Sequence, residues 1–144
     1  MAEPGVLTFQ IGGRPFAVDL ALVRAVLPSG HVTPIPGAPR EVLGLVNVRG
    51  MLAAAIDLGL LLTGEPHELR AGDALVLLEA PPQPWSEGQP ARVAIPVERV
   101  LDVVPTGGHA TAPLRVDVPR LLQQVHLAMV RAASAFGRAP ESRP

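Results

Sequence analysis

Apolar and polar positions along this chain change period several times, and each change marks an element. Leu7, Phe9 and Ile11 share one face of a strand over residues 6–11. Gly12-Gly13 turns the chain and residues 15–18 return, the pattern of a hairpin. Asp19 then stands where a helix N-cap belongs. Leu20, Leu22, Val23, Val26 and Leu27 follow at the spacing of a short amphipathic helix, stopped by Pro28-Ser29-Gly30. Pro34, Pro36 and Pro39 make residues 31–41 an ordered surface loop.

Two apolar runs come next, on either side of the polar knot Asn47-Val48-Arg49-Gly50. Asn and Gly tolerate positive φ, so a strand can reverse here and leave a lone arginine at the tip of an apolar ribbon. The second run, Met51-Leu52-Ala53-Ala54-Ala55-Ile56, is built of strong helix formers, and propensity alone makes it a helix. A strand buried on both faces need not alternate, however, and the preceding turn favours strands over 43–48 and 51–56, paired antiparallel. Asp57 caps a second short helix over 58–62, ended by Thr63-Gly64 and Pro66.

Residues 74–78 read as a buried strand and residues 80–90 as a loop with four prolines. A strand over 92–97 runs into 98–104, and Gly107-Gly108 breaks it. From Pro119 the period becomes helical, with Leu122, Val125, Met129, Ala133 and Phe136 on one face. That helix is expected over 119–136, ended by Gly137 and followed by a loose tail.

A weak internal repeat underlies these elements. Phe16-Ala17-Val18 through Leu27-Pro28 matches Val93-Ala94-Ile95 through Val104-Pro105 at an offset of 77. Ile56-Asp57-Leu58 matches Val116-Asp117-Val118 at an offset of 60, so the second unit is 17 residues shorter. What it lacks is the counterpart of the Gly44-to-Gly50 segment. The expected organisation is a single domain over 1–144, with halves 6–72 and 73–122.

Composition narrows the class. A chain of 144 residues suits one domain, large enough to bury about two-thirds of its unfolded surface. Aromatics are only 3% of it against 48% hydrophobic, so the core is aliphatic. Its 14 glycines and 17 prolines favour short elements and many turns. A net charge of −1 offers no electrostatic case for nucleic acid or an anionic membrane. Without cysteine there is neither a disulfide framework nor a thiolate metal site. Residues 1–5 lack the features of a signal peptide, and no apolar run reaches the ~18 residues of a spanning helix. The expectation is a soluble, cytoplasmic protein.

No catalytic set emerges. Asp19, Asp57 and Asp117 each precede a helical pattern and read as N-caps worth about 1 kcal/mol each. His31, His67, His109 and His126 are scattered, with no pair at metal-ligand spacing, so no metal or cofactor is implied. Ser29, Ser86 and Ser134 lack a nucleophile-elbow context. Trp85, the only tryptophan, is either an exposed anchor for a partner or a side chain folded back onto its own domain.

The pattern G-x-x-N-x-R-G at Gly44–Gly50, followed by an apolar strand and Asp57-Leu58, resembles the CheW-like domain, the adaptor module of bacterial chemosensory arrays. The likeness runs from about Leu7 to Leu122 and fades in the second half. It implies a mainly β fold of two SH3-like five-stranded barrel subdomains, the second incomplete here, with short helices and a C-terminal helix. It also implies a non-enzymatic adaptor without cofactors, coupling the cytoplasmic tip of a chemoreceptor to the regulatory domain of a CheA-type histidine kinase. In such adaptors the two barrels offer related surfaces at opposite ends, so the shortened second barrel implies a one-sided adaptor, its open edge covered by the C-terminal helix. Three positions match the receptor groove: Val23, on the first short helix, Gly44 and Arg49. Each also has a plain structural reading, as a core valine, a strand glycine permitting close packing, and a solvated turn arginine. Two alternatives stand beside this one: a small-ligand-binding or enzymatic β-barrel domain, and a degenerate adaptor retaining a single partner.

Overall fold

The 77- and 60-residue offsets reappear in space as strand register. The structure, a computed structural model, describes residues 5–67, 70, 72–105 and 114–141, with side chains followed to residue 132. Its elements are β1 (Gly5–Ile11), β2 (Arg14–Asp19), β3 (Val23–Pro28), β4 (Val42–Val48), β5 (Met51–Ile56), α1 (Leu58–Thr63), β6 (Ala74–Ala80), β7 (Ala91–Val97), β8 (Arg99–Pro105), β9 (Leu114–Arg115) and α2 (Val118–Glu141). They form a five-stranded sheet in the order β3-β6-β7-β5-β4 and a four-stranded sheet in the order β8-β1-β2-β9.

In the smaller sheet Phe16 and Ala17 pair in parallel with Leu114 and Arg115. In the larger one Val93 and Ala94 pair in parallel with Ala54 and Ala55, the positions related to them by the two offsets. A bulge between Val23 and Ala25 in β3 is matched by one in the β1–β8 ladder at Thr8/Phe9. The third strand of each repeat is exchanged: β3 pairs with β6, and β8 pairs with β1. Each sheet therefore draws on both repeats. The shortfall of 17 residues falls beside β9, where the described residues provide no counterpart to β4.

Two cores result. Leu7, Phe9, Phe16 and Val18 of the smaller sheet meet Val76, Leu78, Val93 and Ile95 of the larger, with Leu58 of α1 and Leu121, Leu122 and Val125 of α2. The other face of the larger sheet closes on Val46, Val48, Ala53, Ala55, Leu75, Leu77 and Ala94. β5 is paired along one edge with β4 and along the other with β7, which is how a run of helix formers becomes a strand: two neighbouring strands outweigh propensities of a few tenths of a kcal/mol per residue. The mainly β class and the 43–48/51–56 hairpin stand as expected.

Four local expectations are corrected. The first short helix is only a 3₁₀ turn, Leu20–Leu22, and Val23 opens β3 instead of lying on a helix. There Val23, Ala25 and Leu27 alternate with exposed Arg24, Val26 and Pro28, a period of two hidden within an apolar run. Asp19 makes no cap and pairs with Arg115. The last helix starts at Val118 and passes through Gly137 to Glu141; a helical glycine costs about 1 kcal/mol and stops a helix only where the chain turns left-handed. Finally, the buried face of α2 enters the core between the sheets and meets the Trp85 loop, where an edge cover for the smaller sheet was expected. Gly107-Gly108, His109 and the side chains of Ala133 and Phe136 lie outside the described residues.

Candidate functional site

The β4–β5 ribbon ends in a two-residue loop. Val48 pairs with Met51, leaving Arg49 and Gly50 at φ of 51° and 84°, the left-handed pair that a type I′ hairpin turn requires. The Asn47 side chain accepts a hydrogen bond from the Gly50 N–H at 2.8 Å and braces the loop. Gly50 adopts its conformation without strain, whereas arginine there costs roughly 1 kcal/mol. The hairpin pairing and the Asn47 brace hold it in that conformation, and among the described residues the exposed Arg49 guanidinium has no hydrogen-bond or ion-pair partner.

Beside this cation the ribbon is apolar. Val46, Val48, Ala53 and Ala55 pack into the second core, while Leu45 and Leu52 point outward at 36% and 61% exposure. Leu52 lies directly across from Asn47, and Leu45 across from Ala54. An apolar strip capped by an unpaired, five-donor guanidinium suits an incoming helix that carries both apolar side chains and an exposed carbonyl or carboxylate.

Gly44 lies on the same strand for another reason. Its φ is 151°, and a Cβ there would run into the carbonyl group of Thr33. The glycine lets residues 31–35 cross over β4. Val23 is half-buried against the core between the sheets, at the opposite edge of the larger sheet. The fold therefore brings Gly44 and Arg49 together on one ribbon, while three strands separate Val23 from them in sheet order. The sequence reading missed Leu45 and Leu52; the outward alternation Leu45, Asn47, Arg49 was the available signal.

The remaining polar groups are used structurally. Asp57, buried at 4% exposure, accepts from the Leu60 N–H at 3.0 Å and the His67 N–H at 2.9 Å. The His67 ring reaches Asp73 at 3.0 Å, and Asp73 also receives the Arg70 N–H. Asp117 caps α2 through the Arg120 N–H. Glu98 accepts from the Gly13 N–H at 2.8 Å, the main cause that holds its carboxyl below the usual range; the Gln10 amide adds to this, and burial opposes it. Trp85 folds back onto the domain and stacks on His126, ring centroids 4.3 Å apart. Among the described residues no group of three His, Asp or Glu side chains could hold a metal, and no helix is long and apolar enough to cross a membrane.

Known proteins resemble this chain in sequence and in fold. The family model for the CheW-like domain matches residues 5–126. The chemotaxis protein CheW of Rhizobium meliloti (strain 1021) is 35% identical over 52 residues, 36% of this chain and 34% of that protein. A probable chemotaxis protein CheW of Rhizobium etli is 28% identical over 74 residues, 51% of this chain and 48% of that one. The matched stretches thus span a third to a half of those relatives. The crystal structure of the scaffolding protein TtCheW from Thermoanaerobacter tengcongensis aligns with a TM-score of 0.60 at 20% identity, over 75% of this chain and 65% of that one. That likeness concerns the fold: the two sheets answer to a pair of SH3-like barrel subdomains.

Proposed function

The chain belongs to the CheW-like domain family, and from that membership we propose that it is a non-enzymatic, cytoplasmic adaptor of a chemosensory array. Its first partner is the cytoplasmic tip of a chemoreceptor, and its second the regulatory domain of a CheA-type histidine kinase. The observation that carries this reading is Arg49, held exposed and strained at the tip of an apolar ribbon. Backbone strain held in place by its surroundings clusters at ligand clamps and binding sites. Arg49 donates to a carbonyl or carboxylate of the receptor helix, with Leu45 and Leu52 against its apolar side. Gly44 shapes the strand beneath; Val23, the third position that the family resemblance assigns to receptor binding, lies at the opposite edge of the same sheet.

The adaptor is one-sided. β5 is flanked by β4, whereas β9 is two residues long and carries half-exposed Arg115 at the position of fully buried Ala55. An end altered this way does not reproduce the surface offered by the first barrel, so the chain holds one kinase regulatory domain and does not bridge two.

Pull-down and light-scattering measurements on the full chain, with purified receptor tips and kinase regulatory domain, test this. The expected results are receptor capture lost in Arg49→Ala and kinase complexes stopping at one to one. Absence of both partners, or complexes with two kinase domains per chain, would overturn the respective halves.

A further inference from the structure

We propose that the outward face of α2 is a docking surface for an acidic amphipathic helix of a partner protein. One side of α2 is committed: Val118, Leu121, Leu122 and Val125 are buried, and His126 is stacked on Trp85. The other side exposes Arg120, Leu127 and Arg131. Their spacing, seven residues and then four, places them in one line along a helix of 3.6 residues per turn. Arg138 repeats the seven-residue step in the sequence. Val130 lies next to the line at 46% exposure, with Leu127 at 45%.

Charge selects the occupant. Between Arg120 and Arg138 the helix contains no acidic residue; its carboxylates, the capping Asp117 and the terminal Glu141, stand at its two ends, outside the stretch around Leu127 and Arg131. An apolar pair at i and i+3 flanked by cations complements a helix with apolar anchors between Asp or Glu residues. A second copy would oppose arginine to arginine, which costs affinity. Retention on an anionic bilayer takes clusters of about four to eight basic residues. Here three are spread along roughly 27 Å of helix, which already spends one face on the protein core. The line lies on a different element from the Arg49 turn, so either surface can fail its test without the other.

Two synthetic helical peptides of equal length serve as probes, their leucine pairs flanked by Glu in one and by Lys in the other. Titrated into the full chain at low salt, the Glu peptide is expected to bind, and to weaken about tenfold as salt screens the contact. The Lys peptide is expected not to bind. Leu127→Glu removes binding, and Arg120→Glu with Arg131→Glu transfers the preference to the Lys peptide. These side chains are exposed, so circular dichroism should report an unchanged fold. Equal binding of both peptides, or a preference that survives the charge reversal, overturns the proposal. A dimer that Leu127→Glu dissociates, or sedimentation with phosphatidylglycerol vesicles without Glu-peptide binding, overturns it as well.

Discussion

Thr33 exchanges both backbone hydrogen bonds with Leu45, each at 2.8 Å, and thereby lays its carbonyl over Gly44 where a side chain would sit. Gly44→Ala must move that crossing or break the bridge, at a positive φ that alanine adopts poorly. A loss of roughly 2–4 kcal/mol in urea unfolding is expected. An alanine variant of unchanged stability that fails to capture the receptor tip would instead make Gly44 a contact residue.

Arg49 obeys the opposite logic, since its conformation costs stability. Arg49→Asn should raise stability by roughly 0.5–1 kcal/mol, because asparagine tolerates the left-handed position, while Arg49→Ala should leave it nearly unchanged. Both should weaken receptor-tip binding by about 1–3 kcal/mol if the guanidinium makes charge-assisted bonds there. A more stable Arg49→Asn chain with undiminished affinity would return Arg49 to a solvated turn.

Much of this was legible in the sequence because the decisive features are local. Asn47-Val48-Arg49-Gly50 carries its own turn chemistry, and the two offsets predict which strands are equivalent. Residues 23–27 were not legible as a strand, since Val23, Val26 and Leu27 fit a helical period as well as Val23, Ala25 and Leu27 fit a strand period. Pairing with β6 decides between them, and no window of local sequence contains β6. The strand exchange is hidden for the same reason. At the site, the strain on Arg49 required a φ value, and the overlap of Thr33 with Gly44 required a long-range crossing. Asp19 has the composition of a cap, yet it pairs with a residue 96 positions away.

Asp57 does more than cap a helix. Its two oxygens take the Leu60 and His67 N–H groups, so Asp57→Ala leaves two donors unmatched at a buried site. The expected cost is about 2–3 kcal/mol, above the ~1 kcal/mol of an exposed cap. Asp57→Asn should retain part of the difference. A loss of 1 kcal/mol or less in thermal unfolding would show that the His67 contact contributes nothing.

Glu98 predicts one component of acid sensitivity. Its native carboxyl is held below the ordinary carboxylate range, chiefly because the Gly13 N–H donates to it. The unfolded chain therefore binds a proton more readily than the native one across that range. The resulting stabilisation is complete above the unfolded value and disappears as pH falls through the native value. Glu98→Gln should be less stable than wild type at neutral pH, and the gap should close on acidification. A gap constant down to pH ~3 would exclude the linkage.

Removing residues 123–144 tests what α2 does for the fold. The helix closes the core between the sheets with Val125, Met129 packs against that core, and His126 stacks on Trp85. Burying two such apolar side chains contributes about 1.5–3 kcal/mol each, and the stacked pair about 1 kcal/mol more. Their sum is comparable to the ~5–15 kcal/mol that holds a domain of this size together. The truncated chain should aggregate or melt far below wild type. Since Trp85 is the only tryptophan, its emission should shift to the red in the same variant. His126→Ala separates the two effects, because it removes the stack while leaving Val125 and Met129 in place. That variant should show a modest loss of stability and no aggregation. A truncated chain that stays monomeric at wild-type melting temperature would mean that the two sheets seal their shared core without the helix.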